Sequence, residues 1–103
     1  MSEGREWACL GPGEPHPVDL ERVASCYNRG DTEIAIERCR ACRQLYHFST
    51  FELHDWTGEN DYYDRTDIWT PIEADEAEAL RRDDKYKPRS ERSHRHDTGW
   101  RAG

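Results

Sequence analysis

The chain has few apolar residues and no long hydrophobic run. Of its 103 residues, 34% are hydrophobic and 36% are charged. No segment approaches the ~18 consecutive apolar residues of a membrane-spanning helix, which excludes a helical membrane protein. Burial of so little apolar surface offsets only part of the conformational entropy lost on folding, roughly 1 to 2 kcal/mol per residue. We therefore expect one small domain that needs a cross-link, either a metal ion or a disulfide.

No export signal is expected either. The chain begins Met-Ser-Glu-Gly-Arg-Glu, and no apolar segment follows this charged start. We therefore expect a cytoplasmic protein in which the four cysteines stay reduced. In that compartment, clustered cysteines are more often metal ligands than disulfide partners.

The charges are unevenly distributed along the chain. Residues 1–80 carry 7 Lys and Arg against 18 Asp and Glu, a net charge of −11, whereas residues 81–103 carry 8 against 4, a net charge of +4. An acidic body and a basic tail attract different partners. The tail, residues 85–103, shows no apolar periodicity, so we predict that it is disordered.

A Cys-x-x-Cys pair, Cys39 and Cys42, lies between two strand-like segments, residues 32–38 and 44–56. Two thiols at this spacing on a strand-to-strand turn can bind one tetrahedral metal ion, which is the geometry of a zinc knuckle. A structural Zn²⁺ site is the leading interpretation. A catalytic dithiol is the alternative, because the arginines around the pair would lower a thiol pKa, although here a strand follows where a redox motif has a helix.

The position of the other ligands follows from the predicted pairing of two strands. Segments 20–27 and 32–38 flank a polar, glycine-containing turn and predict a β-hairpin. If that turn has four residues, Leu20 lies opposite Cys39. Cys26 then lies six residues further along the ladder, about 20 Å from Cys39.

This register brings the irregular segment 1–17 beside the knuckle. His16 lies shortly before the residue that is opposite Cys39 in the hairpin. We interpret Cys26 as a small apolar filler, although Cys26 or His47 in place of one upstream ligand stays open. The predicted ligands of the structural Zn²⁺ are Cys9, His16, Cys39 and Cys42.

The periodicity predicts an α+β fold, a small zinc-ribbon-like antiparallel sheet of about four strands with one C-terminal helix. Acidic residues fill the first turn of that helix, and Arg81 and Arg82 lie in its last turn, as the helix dipole favours. The domain spans residues 1–84, and the disordered basic tail spans residues 85–103. The predicted strands are 20–27, 32–38, 44–56 and 66–72, and the predicted helix is 73–84.

Aromatic residues make up 11% of the chain. Most of them are expected in the core, because the chain has little else to bury. If the helix leaves one face of the sheet uncovered, Tyr46, Trp56 and Trp69 would form an exposed patch of the kind that binds a protein partner.

Several segments within residues 33–80 occur in a recognisable order. A strand leads into Cys-Arg-Ala-Cys, an aromatic strand ends in Asp-Trp, and Ile-Trp-Thr-Pro-Ile precedes a short acidic helix. In this combination the chain resembles a group of small, uncharacterised bacterial zinc-ribbon-like proteins. Arg43 departs from the pattern, which has glycine there, and no activity comes with a shared fold. The resemblance implies four ligands, namely Cys39 and Cys42 with the upstream pair Cys9 and His16.

The leading functional hypothesis is a non-enzymatic, zinc-stapled binding module that contacts a protein partner as an immunity, anti-defence or regulatory factor. A first alternative is an accessory zinc ribbon that binds nucleic acid or the transcription machinery through residues 85–103. A second alternative is a thiol oxidoreductase that uses Cys39 and Cys42. No membrane partner is expected.

Overall fold

The computed structural model describes residues 5–11, 14–55 and 62–101. Within these ranges the chain forms two antiparallel sheets and one helix. The smaller sheet pairs β1, Arg5–Ala8, with β2, Pro17–Val18. The other elements are β3 (Leu20–Arg29), β4 (Thr32–Cys39), β5 (Leu45–Asp55), β6 (Tyr62–Ile72), α1 (Ala74–Arg82) and β7 (His94–Arg101).

The main sheet has five antiparallel strands in the order β3-β4-β5-β6-β7, so the prediction of about four strands was too low. The additional strand, β7, comes from the tail that was expected to be disordered. It pairs with β6 without a register shift, from His94 opposite Trp69 to Arg101 opposite Tyr62. The prediction of disorder was wrong for these residues, because backbone hydrogen bonds to a neighbouring strand order a segment that has no apolar periodicity.

The segment between α1 and β7 folds back onto the acidic body. The Arg89 guanidinium lies 2.9 Å from the carboxylate of Asp75 and 3.0 Å from that of Glu76. Burial raises the pKa of the Glu76 carboxyl, but hydrogen bonds from the backbone N–H groups of Arg89 and Glu73 outweigh burial and lower that pKa. Part of the basic tail is therefore neutralised by the protein itself.

β3 and β4 form the predicted hairpin, but with a shorter turn. The turn has two residues, Gly30 and Asp31, and Gly30 has a φ of 59°, which glycine adopts at little cost. Two register shifts within β3 then add residues to that strand. As a result, Leu20 lies opposite Cys39, as predicted.

α1 agrees with the predicted helix apart from its ends. The backbone N–H of Glu73 donates to the carboxylate of Glu76 at 2.9 Å, which satisfies one donor before the first turn. The buried apolar side chains of α1, Ala77 and Leu80, face the main sheet. Neither α1 nor any other described segment forms a helix that is long and apolar enough to span a membrane.

The helix covers one face of the main sheet and forms a cluster that we call the helix-side core. Because side chains alternate along a strand, the residues between them point to the opposite face. Cys26 and Tyr86 pack at the margin of this core, so the interpretation of Cys26 as apolar filler agrees with its position. The buried members of the helix-side core are Ile36, Ile72, Ala77 and Leu80.

The opposite face is covered by the smaller sheet and its neighbouring residues, 5–11 and 14–18, which we call the lead-in. Trp7 of the lead-in stacks on His94 of β7, with ring centroids 4.3 Å apart and an interplanar angle of 15°. Trp7 also contacts Tyr46 edge to face at 5.9 Å. The buried members of this lead-in core are Cys9, Val18, Ala35, Cys39, Tyr46, Phe48 and Trp69.

Candidate metal centre

The structure brings the four predicted ligands together. One sulfur or nitrogen atom from each of Cys9, His16, Cys39 and Cys42 lies within 4.8 Å of the others. All four cysteines of the chain are free, so no disulfide competes for these sulfurs. These residues are therefore close enough to hold one metal ion.

The Cys39–Cys42 turn has a tight, hydrogen-bonded backbone. The N–H of Arg43 donates to the carbonyl of Cys39 at 2.8 Å, and the N–H of Cys39 donates to the carbonyl of Gln44 at 2.9 Å. Arg43 has a φ of 68°, in the left-handed region that costs a residue with a Cβ about 1–2 kcal/mol. The turn therefore takes the conformation that normally favours glycine, although an arginine occupies the position.

Backbone N–H groups of this turn point at the sulfurs. Burial raises the pKa of the Cys39 thiol, but hydrogen bonds from the N–H of Cys42, the His16 ring and the N–H of Ala41 outweigh burial and lower the pKa to about 6. For Cys42 the order is reversed, because burial dominates and raises the thiol pKa to about 11 despite a hydrogen bond from the N–H of Gln44. The turn therefore stabilises one thiolate, and a bound cation would be needed to stabilise the second.

The two strands of the lead-in position the upstream ligands. β1 and β2 pair in an antiparallel ladder, and just beyond it the N–H of Cys9 donates to the carbonyl of His16 at 3.3 Å. This contact places the Cys9 sulfur 3.4 Å from that of Cys42, and His16 Nε2 3.3 Å from the Cys39 sulfur. Each lead-in ligand therefore lies against one ligand of the knuckle.

The orientation of the His16 ring is set by a second contact. Nδ1 lies 2.9 Å from the carbonyl oxygen of Glu14, which can only accept, so Nδ1 carries a proton. Nε2 is then the nitrogen that points to the sulfurs and is available to a metal. Hydrogen bonds to Cys39 and then to Glu14 raise the His16 pKa, and a metal ion at Nε2 would replace the proton there.

Tyr46 supports the site from beneath. Its hydroxyl lies 2.6 Å from the Cys9 sulfur and accepts a hydrogen bond from the N–H of Leu10 at 2.9 Å, which leaves its own proton for the sulfur. Burial raises the pKa of the Tyr46 hydroxyl, so it stays protonated and able to donate. Sequence reasoning missed this role, because assigning it requires knowing that the lead-in lies over β5.

The predicted partner-binding patch is not present as proposed. Tyr46 is fully buried and Trp69 is 1% exposed, because the lead-in covers the face of the sheet that we expected to be open. Trp69 donates from its indole nitrogen to the buried Glu37 carboxylate at 2.8 Å. The assignment of these two residues to an exposed surface was therefore wrong, and Trp56 lies outside the described residues.

The alternative ligands lie elsewhere. Cys26 packs beside the helix-side core. His47 lies opposite Ile36 in the ladder and so points to the helix-covered face, and burial lowers its pKa. The structure does not bring either residue into the cluster.

Comparisons of the chain with protein-family models, with curated proteins and with solved structures gave no match.

Proposed function

We propose that the protein is a non-enzymatic binding module held together by one structural Zn²⁺ ion. The observation that carries this proposal is the four-residue cluster of three thiols and one imidazole. Zn²⁺ favours this donor set in tetrahedral geometry, and sites with four protein ligands are typically structural because no position remains for water or substrate. The residues that would hold it are Cys9, His16, Cys39 and Cys42.

The function of the ion would be to fix the lead-in over the sheet. The lead-in contributes Cys9 and His16, whereas the other two thiols belong to the main sheet and its turn. The smaller sheet has two short strands, and such a sheet is marginal without further support. An ion bound across the two parts therefore supplies the cross-link that the apolar-poor sequence requires.

A protein partner is the best-supported class of ligand. Among the described residues, the exposed large hydrophobic side chains are Phe51, 41% exposed, and Leu53, 55% exposed. They lie two residues apart on β5 and therefore share a face. By contrast, Arg89 and Arg95 of the tail are paired with carboxylates, which reduces the charge available for phosphate contacts.

The metal is tested by elemental analysis of the purified full chain. We expect one zinc per chain, and replacement by Co²⁺ should give the absorption of a tetrahedral thiolate site. Removing the ion with a chelator should abolish the near-ultraviolet circular dichroism of the aromatic core. A reduced protein that binds neither metal and keeps its tertiary signal would refute the proposal.

The protein partner is tested with a matched pair of variants. Leu53→Glu and Ser25→Glu each add one negative charge at an exposed strand position. If the β5 side chains contact the partner, then co-purification should fail with Leu53→Glu and persist with Ser25→Glu. Equal retention of the partner by both variants would exclude this surface.

A thiol oxidoreductase is the second candidate, and the lowered pKa of Cys39 is the observation that favours it. A redox enzyme would reduce a disulfide substrate, and Cys39→Ser would abolish that reaction while the fold persists. A structural site predicts no reductase activity and loss of the fold in the same variant.

A further inference from the structure

The two edges of the main sheet differ in their regularity. β3 forms one edge and contains two register shifts, which bend an edge strand and disturb the spacing of its outward backbone groups. β7 forms the other edge, and all eight of its residues follow a single register against β6. Its outer N–H and C=O groups therefore lie in a regular row, which is a template for a further strand.

Side chains of β7 leave this edge accessible. Residues 95–99 are exposed, and His94 is half-buried. The Arg95 and Asp97 side chains lie on one face, 3.2 Å apart, and Asp97 also accepts a hydrogen bond from Thr66. The edge thus carries one positive and one negative charge at neighbouring positions of the same face.

We infer that β7 pairs with β7 of a second copy of this chain, in antiparallel orientation, to form a homodimer with a continuous ten-stranded sheet. This inference goes beyond the proposed function and does not depend on it. A two-fold axis perpendicular to the sheet places the helix-covered faces of both copies on the same side of the joint sheet. Residues that lie opposite one another must then share a face, so the axis passes through a residue of β7.

Among the axes at residues 95 to 98, the charges favour one register. An axis at residue 95 places Arg95 opposite Arg95, and an axis at residue 97 places Asp97 opposite Asp97; like charges directly opposite are destabilising. An axis at Thr98 places Asp97 opposite Gly99, so no opposite charges meet. An axis at His96 places Arg95 opposite Asp97 of the second copy, and the two-fold repeats this pair.

The charge of the whole chain also favours this edge. Residues 1–80 have a net charge of −11, so two copies repel each other through most of their surface. Residues 81–103 have a net charge of +4, and β7 lies within them. β7 itself carries charges of both signs, Arg95, Asp97 and Arg101, so like-charge repulsion is weak when two copies approach through this strand.

The test is sedimentation of the full chain over a concentration series, at equal metal content for all variants. The wild type should show a monomer–dimer equilibrium. Arg95→Asp and Asp97→Arg should each weaken dimerisation about tenfold or more, because each turns two attractive pairs into repulsive ones. Glu21→Arg is the matched control, since it reverses an ion-paired charge on β3 and should leave the dimer unchanged.

A mixture of the two single variants provides the decisive measurement. In the selected register, the new carboxylate at position 95 of one variant faces the new guanidinium at position 97 of the other, and the unchanged Asp97 faces the unchanged Arg95. The mixture should therefore form a heterodimer of about wild-type affinity. The double variant Arg95→Asp with Asp97→Arg should also dimerise like the wild type. A monomeric wild type, a dimer unaffected by the reversals, or a mixture that stays monomeric would each overturn the inference.

Discussion

The two faces of the main sheet are closed in different ways. On one face, α1 packs Ala77 and Leu80 against the strands, mainly through aliphatic side chains such as Ile36 and Ile72. On the other face, the lead-in covers Tyr46 and Trp69 through ring contacts of Trp7 and through the sulfur and nitrogen atoms of the candidate metal centre. A continuous helix can bury one face by apolar contact, whereas an irregular segment rich in glycine and proline needs a stronger local link.

This comparison predicts that the two faces respond differently to perturbation. Loss of a ligand should release the lead-in first, while loss of an apolar side chain under α1 should weaken the domain without releasing the metal. The variants below separate these outcomes.

The largest effect is expected for Cys39→Ala. Structural Zn²⁺ binds to zinc-finger peptides with a free energy of about 10–16 kcal/mol, which is comparable to the total stability of about 5–15 kcal/mol of most domains. The variant should therefore bind no zinc and be unfolded by circular dichroism. Its matched control is Cys26→Ala, which removes a sulfur beside the helix-side core and should keep one zinc per chain. Equal metal loss in both variants would reject the assigned ligand set.

A smaller loss of stability is expected for Leu80→Ala. Leu80 is 1% exposed, and removing a buried leucine side chain costs about 2–5 kcal/mol. Urea unfolding at saturating zinc should show this loss, and the metal content should stay at one per chain below the transition. Glu78→Ala, on the exposed side of the helix, should change stability little. Zinc release from folded Leu80→Ala would show that the two faces are coupled.

A partial loss of metal affinity, with the fold retained, is expected for Tyr46→Phe. The change keeps the ring but removes the hydroxyl that contacts the Cys9 sulfur and accepts from the N–H of Leu10. Loss of such a supporting contact typically lowers metal affinity about 10–100-fold. Competition with a zinc chelator should measure this loss. Tyr63→Phe, which removes a hydroxyl bonded to Glu52 elsewhere on the sheet, should leave the affinity unchanged.

The cluster of Cys9, His16, Cys39 and Cys42 could be predicted because two errors in the hairpin cancelled. The sequence suggested a four-residue turn, whereas the actual turn is Gly30 and Asp31. Two register shifts in β3 add back the residues that the shorter turn removes, so Leu20 still lies opposite Cys39. The polar turn and the Cys-x-x-Cys spacing are visible in the sequence and predict which end of the hairpin lies beside the lead-in. Nothing in the apolar pattern indicates the two register shifts in β3.

Strand β7 and the burial of Tyr46 and Trp69 could not be predicted, for a common reason. Both depend on long-range contacts that leave no local pattern. Strand β7 is ordered by its ladder with β6 and by the stacking of His94 on Trp7, which lies near the other end of the chain. Tyr46 and Trp69 are buried because the lead-in crosses their face, which the composition of residues 1–17 did not indicate.

The smallest effect on the free energy of unfolding is expected for Arg43→Gly. This variant should stabilise the Cys39–Cys42 turn. At a φ of 68°, the Cβ of Arg43 costs about 1–2 kcal/mol, which glycine would remove. Glycine also increases the entropy of the unfolded chain, an opposing effect of about 0.4–1 kcal/mol. Urea unfolding should therefore show a net gain of up to about 1.6 kcal/mol. Arg40→Gly, in the same turn but without a positive φ, should instead destabilise the protein, and a gain in both variants would mean that relief of backbone strain is not the cause.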